Sequence, residues 1–359
     1  MPGGSLTILV LAVGGNVSQG ILKALARSKR PGRVIGADIS AMQMGLYTVD
    51  LALISPWARE PAFIPWLIDV CRRESVDIIL SGAEPVLMEL ARHREHIAAE
   101  SGATCLVSDF SIMEICDDKW QTCQWLAAGG FNGAPFAAAD DPEAVNTLVR
   151  DAGFPLVAKP RRGGGARGHF HVEDRHDLAY VQRKPGYLLQ AHIGAPEDEY
   201  TAGCFMDGNG ALAPSCVMRR ELLAGTTYRA TLGDFPEVRA EAERIAAALK
   251  PRGPCNVQLR MTEGGPVCFE INPRFSGTTP IRAHFGYNEV DAAIGHFLLG
   301  EPVRLPVVTH GVALRYWNEL YVDPTVVRHL QAGGAVKDPA QFPTRIETYG
   351  HRDLSSGPS

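Results

Sequence analysis

Residues 267–274 read VCFEINPR, and this stretch decides what the chain folds into and what it can bind. Alternate residues of a strand point to the same face, so Glu270, Asn272 and Arg274 are expected side by side, with Pro273 marking the end of the strand. Carboxylate and amide oxygens are the hard ligands that Mg²⁺ requires, and an arginine beyond them can meet a phosphoryl group. Taken alone, Glu-x-Asn-x-Arg is equally typical of an ordinary exposed strand.

A third oxygen ligand for the same ion is expected from the preceding strand. Residues 256–259 read NVQL, and the segment 263–265 (EGG) between the two strands predicts a hairpin turn. The hairpin would bring the amide oxygen of Gln258 to the side chains of Glu270 and Asn272.

A glycine-rich segment upstream has the composition of a polyphosphate clamp. Residues 157–168 read VAKPRRGGGARG, in which Lys159 ends a predicted strand and three adjacent glycines, Gly163, Gly164 and Gly165, are flanked by arginines. The lysine supplies a point charge, and glycine lets backbone N–H groups approach phosphate oxygens closely. A flexible basic hairpin is the alternative interpretation. A glycine-rich loop and a strand with candidate metal ligands, in this order along one chain, are much less expected by chance than either motif alone.

The first third of the chain alternates short apolar runs with helical patterns, which is typical of β-α-β units and a parallel sheet. The predicted strands are 7–13, 33–38, 50–55, 76–81 and 104–108, and the predicted helices are 17–30, 61–74 and 85–101. Residues 1–110 are therefore expected to form a small doubly wound domain.

The pattern changes beyond residue 110 to strands in largely antiparallel order. The predicted helices are 118–129, 142–153 and 235–250, and the predicted strands are 156–160, 168–172, 187–192, 199–206, 211–217, 255–262 and 266–272. Asp207-Gly208-Asn209-Gly210 predicts a hairpin turn. The expected division is 1–110, 111–185 with the glycine loop, 186–330 with the metal strands, and a frayed tail at 331–359.

Composition limits the partners. The chain has 35 basic and 40 acidic residues in 359, a net charge of −5, and this balance argues against a nucleic-acid or anionic-membrane binder. No apolar run reaches the length of a membrane helix. Glycine is in excess, at 37 residues.

The eight cysteines include no Cys-x-x-Cys pair and lie mostly in apolar surroundings, so buried reduced thiols are expected. The apolar stretch 6–13 lacks the flanks of a signal peptide. Together these features predict a cytoplasmic protein.

The early glycines at 14, 15 and 20 do not match a dinucleotide-binding fingerprint. The segment 14–20 reads GGNVSQG, and the spacing differs from Gly-x-Gly-x-x-Gly, although Asp38 lies where a ribose-binding acid would lie. Turn geometry is the favoured reason for these glycines, and a NAD-dependent oxidoreductase is an outside alternative.

With these motifs in place, residues 1 to about 300 resemble the ATP-grasp superfamily, in particular the branch of the carbamoyl-phosphate synthetase large subunit and related carboxylate–amine ligases. The likeness is most specific at 269–279 (FEINPRFSGTT) and at the loop 159–168. It implies an α/β protein, α+β in its C-terminal part, with an ATP-grasp fold behind an N-terminal doubly wound parallel-sheet domain.

The resemblance also implies roles for individual residues. Lys119 and Lys159 would touch ATP phosphates with the glycine loop, Gln190 would hold adenine, and Glu199 would bind the ribose hydroxyls. Gln258, Glu270 and Asn272 would be metal ligands, and Arg274 would stabilise the transferred phosphoryl group. Relatives often carry serines where this chain has Gly164 and Ala166, so hydroxyl contacts to phosphate are lost while backbone contacts remain.

The implied reaction is ADP-forming ligation. A small-molecule carboxylate would attack the γ-phosphoryl of ATP, with two Mg²⁺ ions (or Mn²⁺ as a substitute), and an amine would displace phosphate from the acyl phosphate. A carboxylase half-reaction, a small-molecule kinase and a nucleotide-binding module without turnover remain alternatives. A homodimer would suit the family.

Substrate residues are assigned on weaker patterns. Glu84 follows the fourth strand at its carboxyl end, where open sheets bind ligands, although an acid there also suits the helix macrodipole. Four residues are candidates for binding a carboxylate: Arg219, Arg220, Arg282 and His284. His169, His171 and His192 lack metal-ligand spacing and are interpreted as ordinary strand residues.

Overall fold

The structure is a computed structural model, and it describes residues 5–30, 32–164, 168–341 and 344–347. The strands are β1 (Leu6–Leu11), β2 (Gly32–Asp38), β3 (Leu51–Ile54), β4 (Ile78–Ser81), β5 (Thr104–Cys105), β6 (Phe136–Ala138), β7 (Leu156–Pro160), β8 (Phe170–Val172), β9 (Tyr187–Ala191), β10 (Glu199–Met206), β11 (Leu212–Leu223), β12 (Thr226–Leu232), β13 (Gly253–Thr262), β14 (Gly265–Asn272), β15 (Gly311–Leu314), β16 (Glu319–Val322), β17 (Ala335–Lys337) and β18 (Thr344–Glu347). The helices are α1 (Asn16–Leu25), α2 (Phe63–Glu74), α3 (Glu84–Ser101), α4 (Phe110–Asp117), α5 (Lys119–Ala128), α6 (Pro142–Ala152), α7 (Arg175–Gln182), α8 (Pro236–Leu249), α9 (Thr279–His284), α10 (Glu289–Phe297) and α11 (Pro324–Gly333).

The first sheet has the predicted parallel core. Its strands lie in the order β3-β2-β1-β4-β5 and pair in parallel. The apolar run of β1 is buried on both faces, since Leu9 and Val10, which point to opposite sides, are both fully buried. The doubly wound interpretation of the first third is confirmed.

The segment predicted as a frayed tail contributes to this sheet. β17 pairs antiparallel with β3, so that Val336 lies opposite Ala52 and is buried in the core. The expectation of a loose tail from residue 331 is therefore wrong for residues 335–337, because an apolar side chain and three ladder positions fix them. Residues 342–343 and 348–359 lie outside the described residues.

Two antiparallel sheets follow. One has the order β6-β9-β7-β8 and the other the order β14-β13-β10-β11-β12-β15. Helix α8 packs on the larger sheet through Val238, Ala242 and Ile245, all fully buried. The turn at 207–210 joins β10 to β11, which confirms the predicted hairpin.

Some element boundaries differ from the prediction for local reasons. Helix α1 ends at Leu25 rather than continuing to 30, because the chain turns away through Ser28, whose hydroxyl bonds Asp291 at 2.5 Å. Helix α4 precedes the predicted helix at 118. Asp118 caps the start of α5 by accepting from the Trp120 amide, so the two helices abut.

The early glycines serve packing and a turn. The Gly14 amide donates to the Asp38 carboxylate at 2.7 Å, so that acid is used within the turn. A Cβ on Gly20 would lie 2.9 Å from Cδ of Pro280, which shows how closely α1 approaches α9. The first sheet and the C-terminal part of the chain thus pack directly on each other.

Candidate functional site

A cavity of about 360 Å³ lies between the two antiparallel sheets. Five of the predicted site residues line it together: Lys159, Gln190, Glu199, Gln258 and Glu270. Strands β7 and β9 supply the first two residues, and β10, β13 and β14 supply the other three. Side chains separated by more than one hundred residues in sequence therefore face one space.

Strand register explains why the acid and amide side chains meet. Gln258 on β13 lies directly opposite Glu270 on β14, and Asn256 lies opposite Asn272. The register then shifts so that Leu259 pairs with Cys268, which leaves Phe269 as the extra residue of a β-bulge. Because of the bulge, the adjacent residues Phe269 and Glu270 both line the cavity, which a regular strand would not allow.

The three predicted metal ligands form one hydrogen-bonded cluster. Glu270 Oε1 accepts from Asn272 Nδ2 at 2.9 Å and from Gln258 Nε2 at 3.5 Å. The set offers one carboxylate and two amide oxygens; the amide nitrogens face the carboxylate, while the amide oxygens accept from Arg220 and Arg274. This donor chemistry fits Mg²⁺. Across the described ranges, no group of three or more His, Cys, Asp or Glu residues is placed to hold a metal.

Lys159 points from β7 toward this cluster. Its Nζ donates to Gln190 Oε1 at 2.6 Å and lies 5.4 Å from the centre of the Phe269 ring. Burial lowers the pKa of Lys159, with further lowering by the positive charges of Lys119 and Arg260, while Glu270 acts in the opposite direction. The cavity therefore contains a desolvated cation suited to an anionic ligand.

Gln190 is held at both ends of its amide. Its oxygen accepts from Lys159, and its Nε2 donates to the Cys123 sulfur at 3.0 Å. Burial raises the pKa of Cys123 to about 11, so the thiol stays neutral and available as the acceptor. Through these two hydrogen bonds the Gln190 side chain fixes the position of the Lys159 ammonium group.

The glycine loop is anchored to the start of α5. Lys119 Nζ donates to the Gly163 carbonyl at 2.5 Å, and Arg161 pairs with Asp118 at 2.6 Å. Gly163 has a φ of 109°, which favours glycine. Gly164 is exposed, whereas Gly165 and Ala166 lie outside the described residues.

Glu199 is fully engaged by two arginines. Its Oε1 accepts from Arg220 at 2.7 and 3.0 Å, and its Oε2 accepts from Arg260 at 3.0 and 3.2 Å. Glu199 and Arg220 are both buried. A ribose hydroxyl would have to share this acid with the guanidinium groups.

A polar path leads from the cavity to the first sheet. Arg274 donates to Asn272 Oδ1 at 2.9 Å and, through Nε, to Glu84 Oε1 at 3.1 Å. Burial acts to raise the pKa of Glu84, but the Arg274 guanidinium outweighs it and the pKa is lowered. Glu84 is the first residue of α3 and lies at the carboxyl edge of the first sheet. This edge therefore contacts Arg274, which lies just beyond the end of β14.

Arg282 does not belong to this site. It is 1% exposed, and its guanidinium is enclosed by Glu289, Thr278 and Ser276 at 2.8–3.1 Å. The assignment of Arg282 as a substrate-binding residue is wrong, because every direction of the guanidinium is occupied by the protein core.

Several cavity residues are absent from the predicted set or were given another role. They are Arg220, Arg260, Phe269, His169, His171 and His192. A signal for Arg260 was present, since it lies two residues beyond Gln258 on the same face of one strand. Burial and the nearby Lys159 and Lys119 lower the pKa of His169 to about 4. The histidines are thus cavity-wall residues rather than ordinary strand residues.

The structure has the ATP-grasp fold that the sequence resemblance implied. Its features are a glycine-rich loop, two facing antiparallel sheets and the acid–amide cluster. Two family models match the chain: "PylC-like, N-terminal domain" over residues 8–106 and "ATP-grasp in the biosynthetic pathway with Ter operon" over residues 185–320. These matches confirm the resemblance of the chain to the ATP-grasp superfamily and to its carboxylate–amine ligase branch.

The chain matches only part of the length of two sequence relatives. It is 29% identical to the uncharacterized protein y4rH of Sinorhizobium fredii over 214 residues, covering 54% of this chain and 42% of that protein. It is 27% identical to a carbamoyl phosphate synthase large chain of Deinococcus deserti over 260 residues, covering 67% of this chain and 24% of that protein. The chain thus spans about two fifths and one quarter of these two relatives.

Solved structures share the fold. The N5-carboxyaminoimidazole ribonucleotide synthetase of Thermus thermophilus superposes with a TM-score of 0.67 at 18% identity, covering 85% of this chain and 81% of that one. The biotin carboxylase domain of the Hydrogenobacter thermophilus 2-oxoglutarate carboxylase, in complex with MgADP, ADP and bicarbonate, gives 0.66 at 15% identity, covering 90% and 77%. Within the part of the chain that the structure describes, no helix is both long and apolar enough to cross a membrane.

Proposed function

We propose that this chain is an ATP-dependent ligase that activates a small-molecule carboxylate as an acyl phosphate and joins it to an amine, with ADP and phosphate as products. One observation carries the proposal. Lys159, Gln258 and Glu270 line one cavity, and hydrogen bonds connect Glu270 through Asn272 and Arg274 to Glu84 at the edge of the first sheet.

The residues divide the work by position. Lys159, Lys119 and the backbone of the glycine loop would hold the phosphates, while Gln190 and Glu199 would meet the base and ribose. Gln258, Glu270 and Asn272 would hold Mg²⁺, which when bound neutralises and orients the phosphate oxygens. Arg274 would stabilise charge on the transferred phosphoryl group, and Glu84, beside it, would orient the amine.

Bicarbonate is a second candidate for the acid. The Hydrogenobacter domain with the same fold was solved with bicarbonate and MgADP, which favours a carboxylase version of the same phosphoryl-transfer chemistry. In both versions the substrates are small molecules.

The first test measures nucleotide binding. Mg·ADP at 100 times its Kd should stabilise the protein by about 2.7 kcal/mol, seen as a rise in Tm, whereas NAD should give no shift. A shift with NAD and none with Mg·ADP would overturn the assignment.

The second test identifies the reaction. Amino acids, small carboxylates and bicarbonate are screened for ADP release, with hydroxylamine present to trap an acyl phosphate as a hydroxamate. Glu270→Ala and Arg274→Ala should each reduce the ADP release by roughly 100-fold or more, whereas Arg229→Met, at an exposed position of β12 outside the cavity lining, should keep it. Substantial turnover in both site variants would show that the metal strand is misassigned.

A further inference from the structure

Arg220 bridges two residues with different proposed tasks. Its Nη2 donates to Glu199 Oε1 at 2.7 Å and to Gln258 Oε1 at 2.7 Å, while its Nε also donates to Glu199 Oε1 at 3.0 Å. Arg220 is 9% exposed, so this geometry is enclosed by the protein. The guanidinium is therefore committed to the chain's own groups and is not an anchor for a substrate carboxylate, as the sequence had suggested.

The bridge fixes the orientation of Gln258. Because the Gln258 oxygen accepts from Arg220, its amide nitrogen is the atom that faces Glu270 Oε1, at 3.5 Å. A cation beside Glu270 needs the Gln258 oxygen instead, since an amide nitrogen carries no lone pair for a metal. Arg220 thus holds this ligand in the orientation that does not bind a cation.

The contact between Arg220 and Glu199 is open to competition from another hydrogen-bond donor. Arg260 holds Glu199 Oε2 at 3.0 and 3.2 Å, so the acid keeps a partner if Arg220 moves. A ribose hydroxyl that donates to Glu199 would compete with Arg220 for Oε1. Once its contact with Glu199 Oε1 is lost, the Arg220 guanidinium is held less firmly. Its hydrogen bond to Gln258 is then weakened as well.

We propose that Arg220 is a positioning residue that couples nucleotide binding at Glu199 to cation binding at Gln258. The inference rests on the proposed function and deepens it. Arg220 occupies the Gln258 oxygen, and a nucleotide that binds Glu199 would release it. Such coupling is reciprocal: a bound cation strengthens nucleotide binding by the same factor.

The experiment measures both halves of this coupling without turnover. Binding of Mn²⁺ alone is measured by electron paramagnetic resonance, and ADP affinity is measured by calorimetry in Mg²⁺ and in EDTA. Arg220→Met should bind Mn²⁺ alone roughly tenfold more tightly than the wild type. The enhancement of ADP affinity by Mg²⁺ should fall at least about fivefold, within the usual range of coupling factors.

Two further variants separate bridging from charge. Arg220→Lys keeps the positive charge but replaces the planar fork with one ammonium, and it should lose the coupling as Arg220→Met does. Arg229→Met removes the same charge from an exposed position of the neighbouring strand β12, outside the cavity lining, and should retain the wild-type ratio. Circular dichroism and thermal unfolding confirm that each variant is folded.

The outcomes are distinct. Wild-type coupling in both Arg220 variants would overturn the proposal, and so would an equal loss in Arg229→Met, because the effect would then be one of charge alone. Failure of the wild type to bind ADP in Mg²⁺ would overturn the proposed function together with this inference. ADP binding with unchanged coupling would overturn the role of Arg220 alone.

Discussion

Lys159 shows how a single residue can be costly for folding and useful for binding. Its ammonium group donates to the neutral amide of Gln190 rather than to a carboxylate, and it lies near the face of the Phe269 ring. Burial of the charge lowers the pKa of Lys159. A half-buried cation without a direct counter-charge is costly for the fold, and an anionic ligand would supply the missing partner.

Replacing this lysine should stabilise the free protein and weaken nucleotide binding. Lys159→Met should have a higher Tm than the wild type near pH 7, because burial lowers the pKa of Lys159 and so disfavours the protonated form that the unfolded chain carries at this pH. As pH rises toward the ordinary pKa of 10.5, the folded wild type loses its proton first and the burial cost disappears, so the difference in Tm should shrink. Thermal unfolding from pH 7 to pH 10 and ADP calorimetry check both effects. A variant less stable than the wild type at pH 7 would contradict this account.

Among the elements, strand β17 is the one that the sequence concealed. Its region is rich in polar and small residues, yet Val336 enters the core against β3. A three-residue strand carries too little periodicity to be recognised, and its partner strand lies almost three hundred residues earlier in the chain.

A matched pair of substitutions tests whether this edge strand matters. Val336→Asp places a carboxylate in the core without a partner and should lower the free energy of unfolding by roughly 3 kcal/mol or more. Lys337→Asp, at the next and exposed position, should change it little. Urea unfolding of both variants gives the comparison. Equal stabilities would mean that residues 335–337 behave as the loose tail that the sequence suggested.

The elements that could be predicted from sequence are those with long periodic patterns. The parallel strands, the 207–210 hairpin and the antiparallel strands β7–β11, β13 and β14 followed from apolar runs and turn residues, whereas the order of the antiparallel strands within their two sheets did not. The convergence of Gln258, Glu270 and Asn272 agreed with strand alternation. The bulge at Phe269 and the pairing of Arg220 with Glu199 depend on register between distant strands, which no local pattern contains.

At the scale of the whole molecule, the candidate site depends on three sheets meeting. Two antiparallel sheets enclose the cavity, and the first sheet reaches it through the Glu84–Arg274 contact. Helices α9 and α10 pack against α1 and so hold the C-terminal part on the first sheet. Arg282 of α9 and Glu289 of α10 pair beside β10, where Gly203 leaves the space that the arginine fills, since a Cβ there would lie 2.4 Å from its Nε.

The Arg282–Glu289 pair should therefore determine stability rather than substrate binding. Arg282→Met leaves Glu289 buried without its partner and should cost about 3–5 kcal/mol in urea unfolding. Arg282→Met combined with Glu289→Leu removes both charges and should recover part of that loss, while the hydroxyls of Ser276, Thr278 and Thr279 lose these partners. Because neither residue lines the cavity, the double variant should keep the wild-type KM for the acid that releases ADP. A raised KM in a stable double variant would return Arg282 to the substrate site. A single variant as stable as the wild type would show that the buried pair does not stabilise the protein.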